Sequence, residues 1–323
     1  MNQPDPYPGP PWYQFNGHWQ TVLPAFGGPK VAYQRERLEL ADGDFLDLDW
    51  LRQRTPARQL VILTHGLEGN SSRPYVRSAA RFFHDRGWDV LAWNCRSCSG
   101  EMNRLLRLYH HGEIGDIHAV TTHALHQGGY GQVVLIGYSM GGAITTKYLA
   151  VHGASLPSAI LGGIAFSAPF DLAASVAALE LPGNGVYKKR FLQQLSQKIK
   201  VKNERFPGVV DIRKLAEIRR WRDFDEWFTA PLLGLASAAE FYDLASAKNF
   251  VATLQHPVLA VCADNDPIIT EACLPLAAAK TNPFLTLERT DQGGHVGYTL
   301  PGKPYNWMDV RAWAEVERWT AGC

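Results

Sequence analysis

The residue of this 323-residue sequence that is best placed for chemistry is a serine between glycines. Gly137-Tyr138-Ser139-Met140-Gly141 fits the pattern G-x-S-x-G, in which the serine can act as a nucleophile. The apolar run over 133–136 predicts a buried strand before it, and a helix is predicted over 141–152. Strand, sharp turn and helix together indicate a nucleophile elbow. Side chains at Gly137 and Gly141 would collide with neighbouring backbone in such a turn.

This serine needs a base, because a hydroxyl becomes a nucleophile only when its proton is removed. On an elbow of this kind, the order along the chain is serine, acid, histidine. Of the eleven histidines, only His295 stands in a flexible loop after the candidate acids. That loop, Gln292-Gly293-Gly294-His295, follows a strand predicted over 285–288. We therefore predict that His295 is the base.

A third group must orient the base and fix its tautomer. Asp264 and Asp266 both follow a strand predicted over 258–262, which places their carboxylates at the carboxyl end of that strand. We favour Asp266 because it directly precedes Pro267 at the turn into the next helix. Asp264 remains the alternative, unless it merely caps a turn.

The carbonyl of an ester or amide becomes an oxyanion in the transition state and needs two N–H donors. The backbone N–H of Met140, directly after the nucleophile, is one predicted donor. The backbone N–H of Leu67 is the other, since its loop, 65–69, follows the strand predicted over 60–64. His65 is expected to brace this loop through hydrogen bonds.

The elements that must position these groups alternate between strand and helix, which predicts an α/β fold with a mostly parallel sheet of about eight strands and helices on both faces. A hairpin is expected around Ala41-Asp42-Gly43-Asp44. The predicted strands are 31–40, 45–51, 60–64, 89–94, 133–136, 160–166, 258–262 and 285–288, and the predicted helices are 74–86, 113–127, 141–152, 271–280 and 307–320.

The alternation stops at residues 171–250, which hold amphipathic helical pieces and no convincing strand. We interpret this segment as a helical lid insertion above the ends of the strands. Residues 1–30 are expected to form an ordered but irregular N-terminal arm, because a disordered tail rarely holds so many aromatic residues. Residues 31–170 and 251–323 then form the core of the fold.

The composition indicates which cellular compartment and which classes of binding partner to expect. The net charge of +1 gives no reason to expect nucleic acid or an anionic membrane surface as the main partner, and no apolar run is long enough to span a bilayer. The first five residues lack the features of a secretory signal. An odd number of cysteines, five, favours reduced thiols in the cytoplasm. Cys95-x-x-Cys98 has zinc or redox spacing but lacks a second ligand pair, which disfavours a metal site.

These motifs as a set resemble those of the α/β-hydrolase superfamily and, within it, the YheT-like candidate esterases, whose eukaryotic relatives are membrane-associated lipases. The resemblance covers nearly the whole chain. It rests on Gly17-His18-Trp19-Gln20-Thr21, the loop 65–69, Asn94-Cys95-Arg96-Ser97-Cys98-Ser99-Gly100, Tyr109-His110-His111-Gly112-Glu113 with Asp116, the elbow, Asp266-Pro267 and Gly293-Gly294-His295.

The resemblance implies hydrolysis of carboxylic esters, including acyl lipids, by a triad of Ser139, Asp266 and His295, and it implies no cofactor and no metal. Ser97 departs from the pattern, since a glycine is expected there. Three other functions stay open. The same triad could transfer an acyl group to an acceptor other than water, and the fold could serve as a non-catalytic binding module. A halide- or epoxide-processing enzyme is disfavoured because it would usually have an acidic nucleophile in place of Ser139.

Overall fold

The computed structural model describes residues 6–321. The first five residues, on which the expectation about a secretory signal depends, and Cys323 lie outside this range.

One mixed sheet of eight strands organises the described chain, in the order β1-β2-β4-β3-β5-β6-β7-β8. Strand β2 runs antiparallel to both of its neighbours, and every other pairing is parallel. The mostly parallel sheet and its initial hairpin are therefore confirmed. The strands are β1 (Gln34–Glu39), β2 (Phe45–Leu51), β3 (Gln59–Thr64), β4 (Asp89–Asn94), β5 (Gln132–Tyr138), β6 (Ile160–Phe166), β7 (Val258–Ala263) and β8 (Leu285–Thr290).

Helices flank the sheet and fill the segment between β6 and β7. Their bounds are α1 (Gly17–Val22), α2 (Pro74–His84), α3 (Gly115–Gly128), α4 (Met140–His152), α5 (Leu172–Leu179), α6 (Gly185–Arg205), α7 (Trp221–Phe224), α8 (Ala230–Leu232), α9 (Ala238–Ala245), α10 (Leu276–Thr281) and α11 (Trp307–Thr320). Within residues 6–321, none of the helices is both long enough and apolar enough to traverse a lipid bilayer.

The central strands are apolar along their length because both faces of the sheet are covered. Successive residues of β3 alternate between two cores: Leu60 and Ile62 pack with α3 and α4, whereas Val61 and Leu63 pack with α2 and α11. This burial on both faces fixes the register of the strands, and it therefore fixes where each strand ends and its loop begins.

Helix α10 begins later than the sequence suggested. We expected a helix over 271–280, but Glu271–Cys273 forms a separate 3₁₀ turn and the α-helix starts at Leu276. The reason is Pro275, which forces Leu274 into an extended conformation (φ −89°, ψ 145°).

The segment between β6 and β7 contains helices α5 to α9 and, within the described residues, no strand. It has an apolar core of its own that includes Ile199, Phe224 and Phe228, and this core extends onto Ile268 and Ile269 after β7. A π-helical turn, Asp225–Thr229, connects α7 and α8.

The N-terminal arm is more regular than we expected. It contains α1, which begins after Asn16 because the Asn16 side chain accepts a hydrogen bond from the N–H of Trp19 at 3.0 Å. The aromatic residues that suggested an ordered arm do not anchor it, since Trp12 is 88% exposed and Phe15 is 72% exposed. The ring of Tyr7 packs instead on Tyr298, with 5.3 Å between their centroids.

Candidate active site

The predicted elbow lies between β5 and α4. Ser139 has the strained backbone conformation φ +54°, ψ −123°. A Cβ atom on Gly141 would lie 2.2 Å from the carbonyl oxygen of Thr64, and one on Gly137 would lie 2.1 Å from the carbonyl oxygen of Gly141. No side chain fits at these distances, which explains both glycines of the motif. The same turn places Ser139 at the N-terminus of α4, whose dipole favours developing negative charge.

Three residues that are distant in sequence meet beside this elbow. His295 Nε2 lies 2.8 Å from Ser139 Oγ, and His295 Nδ1 lies 2.8 Å from Asp266 Oδ2. Because an ionised carboxylate can only accept, Nδ1 carries the proton and donates to Asp266. Nε2 is then free to accept a hydrogen bond from the hydroxyl of Ser139. The structure thus brings the predicted nucleophile, base and acid into one hydrogen-bonded line.

The carboxylate of Asp266 is fixed from its other side. The backbone N–H groups of Ile268 and Ile269 donate to Oδ1 at 2.8 and 3.0 Å, and the side chain is fully buried. Asp264, the alternative acid, points elsewhere: its side chain is 43% exposed and pairs with Arg289 at 2.7 Å. Asp266 is therefore the carboxylate that faces His295.

The loop after β3 lies against the nucleophile. A Cβ atom on Gly66 would lie 3.1 Å from the Cβ of Ser139, and the hydroxyl of Tyr75 accepts a hydrogen bond from the N–H of Gly66 at 3.0 Å. Within residues 6–321, the backbone N–H groups of Leu67 and Met140 have no hydrogen-bond acceptor. Leu67 lines the same cavity as Ser139, and Met140 directly follows Ser139 at the start of α4.

His65 braces this loop, as expected. Its Nδ1 donates to the carbonyl oxygen of Gly66 at 2.7 Å, and its Nε2 accepts from the backbone N–H of Cys95 at 3.0 Å. This pattern requires the neutral ring, since a second proton would face the N–H of Cys95. Burial lowers the pKa of His65 to about 4, so the ring stays neutral at physiological pH.

Sequence reasoning missed the role of α1 in holding the histidine loop. The Thr21 hydroxyl accepts from the N–H of His295 at 2.9 Å. Gln20 Oε1 accepts from the N–H of Gly293 and from Asn265 Nδ2, both at 2.9 Å. In the sequence, the motif 17–21 contributes only to the family resemblance. Nothing in its composition predicts that it contacts residues more than 240 positions away.

Tyr109 and Lys198 support the Leu67 loop through Glu68. Glu68 has a left-handed backbone, with φ +52°. The hydroxyl of Tyr109 accepts from the N–H of Glu68 at 2.8 Å and donates to its Oε1 at 2.6 Å. Lys198 of α6 adds a buried ion pair to the same oxygen at 2.7 Å.

Comparison with known proteins places this arrangement in a family. The family model described as alpha/beta hydrolase fold matches residues 59–300, which span the elbow, Asp266 and His295. The chain belongs to the α/β-hydrolase family.

Several relatives within this family are named as an esterase, a phospholipase or a lipase. The chain is 32% identical over 305 residues to YheT, a candidate esterase of Escherichia coli (strain K12), covering 92% of this chain and 88% of the relative. It is 28% identical to Phospholipase ABHD3 of Mus musculus, covering 86% of this chain and 70% of the relative. The monoacylglycerol lipase of Saccharomyces cerevisiae is 29% identical, with 75% of this chain and 55% of the relative covered.

Solved structures share the same hydrolase fold. The Pyrococcus furiosus esterase Pf2001 superimposes with a TM-score of 0.60 over 91% of this chain and 96% of the esterase, at 18% sequence identity. At that identity the similarity establishes the fold.

Two cavities meet at Leu67 in this hydrolase. The first, of about 150 Å³, contains Ser139 and His295 and is bordered by α1, the start of α2 and α6. The second, of about 40 Å³, lies among the helices between β6 and β7 and is lined mainly by leucine, isoleucine, phenylalanine and tryptophan side chains. Ser139 therefore lines the wider cavity, and Leu67 borders both this cavity and the narrower, apolar one.

The 94–100 loop contains the two cysteines with zinc or redox spacing. Cys95 and Cys98 are both free and buried, and burial raises the pKa of Cys98 to about 11. Across the part of the chain that the structure describes, no group of three or more potential ligands is arranged to hold a metal ion.

Proposed function

We propose that this chain is a serine hydrolase that cleaves carboxylic esters through an acyl-enzyme intermediate. Ser139 is the nucleophile, His295 the general base and Asp266 the orienting acid. The observation that carries the proposal is the continuous line from Ser139 Oγ to His295 Nε2 and from His295 Nδ1 to Asp266 Oδ2, with 2.8 Å at each contact.

In the first half of the reaction, His295 Nε2 takes the proton of Ser139 as Oγ attacks the ester carbonyl. The carbonyl oxygen becomes negatively charged and is stabilised by the N–H groups of Leu67 and Met140. When the tetrahedral intermediate collapses, His295 gives its proton to the leaving alcohol and the acyl group stays on Ser139.

In the second half, water replaces the alcohol. His295 takes a proton from water, the resulting hydroxide attacks the acyl-Ser139 carbonyl, and the same two N–H groups stabilise the second oxyanion. His295 then returns the proton to Ser139 Oγ, which releases the carboxylic acid and restores the enzyme. Asp266 remains ionised throughout and stabilises the imidazolium.

Relatives support an acyl-lipid substrate, since their names include a phospholipase and a monoacylglycerol lipase. The apolar cavity beyond Leu67 is suited to an acyl chain, because apolar side chains line most of it. In this proposal residues 171–250 form a lid insertion that covers the candidate site and supplies the wall of that cavity, over a core of 31–170 and 251–323.

Covalent labelling tests the nucleophile. A fluorophosphonate probe is expected to label the native chain at Ser139, and Ser139→Ala should abolish labelling while circular dichroism shows an intact fold. Ser155→Ala removes an exposed hydroxyl elsewhere and should leave labelling unchanged. Undiminished labelling of Ser139→Ala would refute the proposed nucleophile.

A chain-length series of p-nitrophenyl esters tests the acyl cavity. Leu232 is half-buried and lines that cavity, so Leu232→Trp should shift the preferred acyl chain towards shorter lengths. Leu181→Trp, at a position 50% exposed in the same segment, should leave the preference unchanged. An unaltered profile in Leu232→Trp would place the acyl chain elsewhere.

A further inference from the structure

Two arginines line the cavity that contains Ser139 and His295, and none of the residues lining it is acidic. Arg73 directly precedes α2, and Arg190 lies in the first third of α6. They therefore reach the candidate site from two separate elements. The side chains that line this cavity therefore carry two positive charges and no compensating negative charge.

Neither guanidinium has an acidic partner in the part of the chain that the structure describes. Within residues 6–321, no carboxylate lies within ion-pair distance of Arg73 or Arg190, whereas arginines such as Arg35 and Arg37 each pair with an aspartate at 2.8 Å. Arg73 donates one hydrogen bond to the carbonyl oxygen of Glu68, which positions it and leaves its other N–H groups available.

The two charges also act on each other. Burial, and then the charge of Arg73, hold the pKa of Arg190 below its usual value. The two positive charges repel each other, and an anion bound between them would offset the repulsion.

The N-terminus of α2 adds to the positive electrostatic potential in this cavity. Pro74 and Tyr75, its first two residues, line the cavity beside Arg73. Helix α2 has eleven residues, and the positive end of its dipole faces this space.

We propose that the substrate carries an anionic group, a phosphate or a carboxylate, that Arg73 and Arg190 bind next to Ser139. This inference rests on the proposed ester hydrolysis and adds the chemistry of the alcohol part of the ester. Guanidinium groups bind both anions through paired N–H donors. With the acyl chain in the apolar cavity beyond Leu67, the charged end of the substrate occupies the cavity of Arg73 and Arg190, and the ester lies between them at Ser139.

Three esters with one acyl chain test the proposal: the monobutanoyl esters of glycerol, glycerol 3-phosphate and glyceric acid. The full-length protein is expected to show a kcat/KM for an anionic ester at least about tenfold above that for the glycerol ester, the factor that one charge-assisted hydrogen bond supplies. A preference for the phosphate ester alone identifies phosphate as the group, and a preference for the glycerate ester identifies carboxylate. Equal values for all three esters overturn the proposal.

Substitutions then assign the preference to the two arginines. Arg73→Gln and Arg190→Gln should each lower the ratio of anionic to neutral kcat/KM by about tenfold. The ratio within one variant cancels any general loss of folded or active protein. Lys189→Gln removes the same charge from the exposed neighbour of Arg190 and should keep the ratio. A ratio that survives both arginine substitutions overturns the proposal.

A binding measurement separates this proposal from the proposed function. In Ser139→Ala, which cannot form the acyl-enzyme, inorganic phosphate should still raise the Tm, and adding Arg190→Gln should remove that rise. If the Tm does not respond to phosphate while the native chain hydrolyses p-nitrophenyl esters, the anion site is refuted and the hydrolase proposal stands. If Ser139→Ala retains full covalent labelling, the hydrolase proposal fails, and this proposal fails with it.

Discussion

Lys198 Nζ lies 2.7 Å from Glu68 Oε1, and this buried contact joins α6 to the loop that carries the N–H of Leu67. The neighbouring Lys202 donates to the carbonyl oxygen of Asn103 at 2.7 Å, one of two contacts through which it fixes the same helix to the loop before α3. Helix α6 is therefore tied to the core at two buried lysines. If the helical insertion opens, we expect α6 to remain in place.

Lys198→Met should reduce kcat by about tenfold or more with a smaller effect on KM, because a displaced Leu67 N–H weakens oxyanion stabilisation. It also leaves Glu68 buried without its cation, which costs about 3–5 kcal/mol of unfolding free energy. Steady-state kinetics and urea denaturation measure the two effects.

Lys188→Met is the matched control, since Lys188 lies on the same helix and pairs with Glu180 at 2.7 Å, away from the Leu67 loop. Its kcat should stay within twofold of the native value. The double variant Lys198→Met/Glu68→Met should be more stable than the sum of the single changes predicts. Strict additivity would contradict a direct coupling of the two side chains.

Asp266→Asn should lower kcat by about 10⁴-fold, because an amide in that position favours the wrong tautomer of His295. Asp264→Asn removes a carboxylate two residues away that pairs with Arg289 on the surface, and it should change kcat by less than twofold. Hydrolysis of p-nitrophenyl butanoate measures both. A larger loss in Asp264→Asn than in Asp266→Asn would reverse the assignment of the acid.

Gln20→Ala should lower kcat by about tenfold, and it should destabilise the fold by about 1–3 kcal/mol, because Gly293 N–H and Asn265 Nδ2 lose their acceptor in a buried place. Thermal denaturation and kinetics check these outcomes. Gln193→Ala, at an exposed position of α6, is the control and should alter neither quantity. Native kinetics in Gln20→Ala would mean that the histidine loop holds its position without the arm.

The buried neutral ring of His65 predicts a loss of stability in acid. Its folded pKa, about 4, lies below the unfolded value of 6.5, so the unfolded chain binds the extra proton first as the pH falls. The contribution of His65 is present above pH 6.5, and about 3 kcal/mol is lost as the pH falls from 6.5 to 4. Urea denaturation at several pH values measures this loss.

Comparison with a variant that lacks His65 isolates the contribution of this histidine to the pH dependence of stability. Burial raises the pKa of Asp309 to about 7, which gives the opposite slope throughout this range. The difference in unfolding free energy between the native chain and His65→Gln should therefore be followed, and it should shrink by about 3 kcal/mol from pH 7 to pH 4. His126→Gln, which removes a histidine from an exposed position, is the control.

The residues predicted for chemistry could be found in sequence because each carries a local signal. The elbow requires glycines at 137 and 141 because a side chain at either position would collide with the backbone. His295 comes shortly after a strand and directly after two glycines with positive φ. Asp264 and Asp266 both follow β7, and in sequence only the position of Asp266 before Pro267 favours it. The contact of Asp266 with His295, together with the pairing of Asp264 with Arg289, shows which carboxylate faces the histidine.

The supporting residues could not be found this way, since their partners are distant in sequence. Nothing near Gln20, Lys198 or Tyr109 indicates which loop each will contact. Ser97 is an intermediate case: a glycine was expected there, and the serine has φ +61°, a conformation that glycine adopts without strain. Asn103 compensates, because its backbone N–H donates to Ser97 Oγ at 3.1 Å and its side chain accepts from the N–H of Ser97.

The hydrogen bond from Gly293 to Gln20 spans 273 positions of the polypeptide. During translation the arm therefore leaves the ribosome well before its partner loop is synthesised. Ser139 precedes His295 by 156 positions, a delay of roughly 8 to 30 seconds at ordinary elongation rates. In a nascent chain the proposed nucleophile is therefore made well before its proposed base, and the candidate site can assemble only after the loop 292–295 has been synthesised and has met the arm.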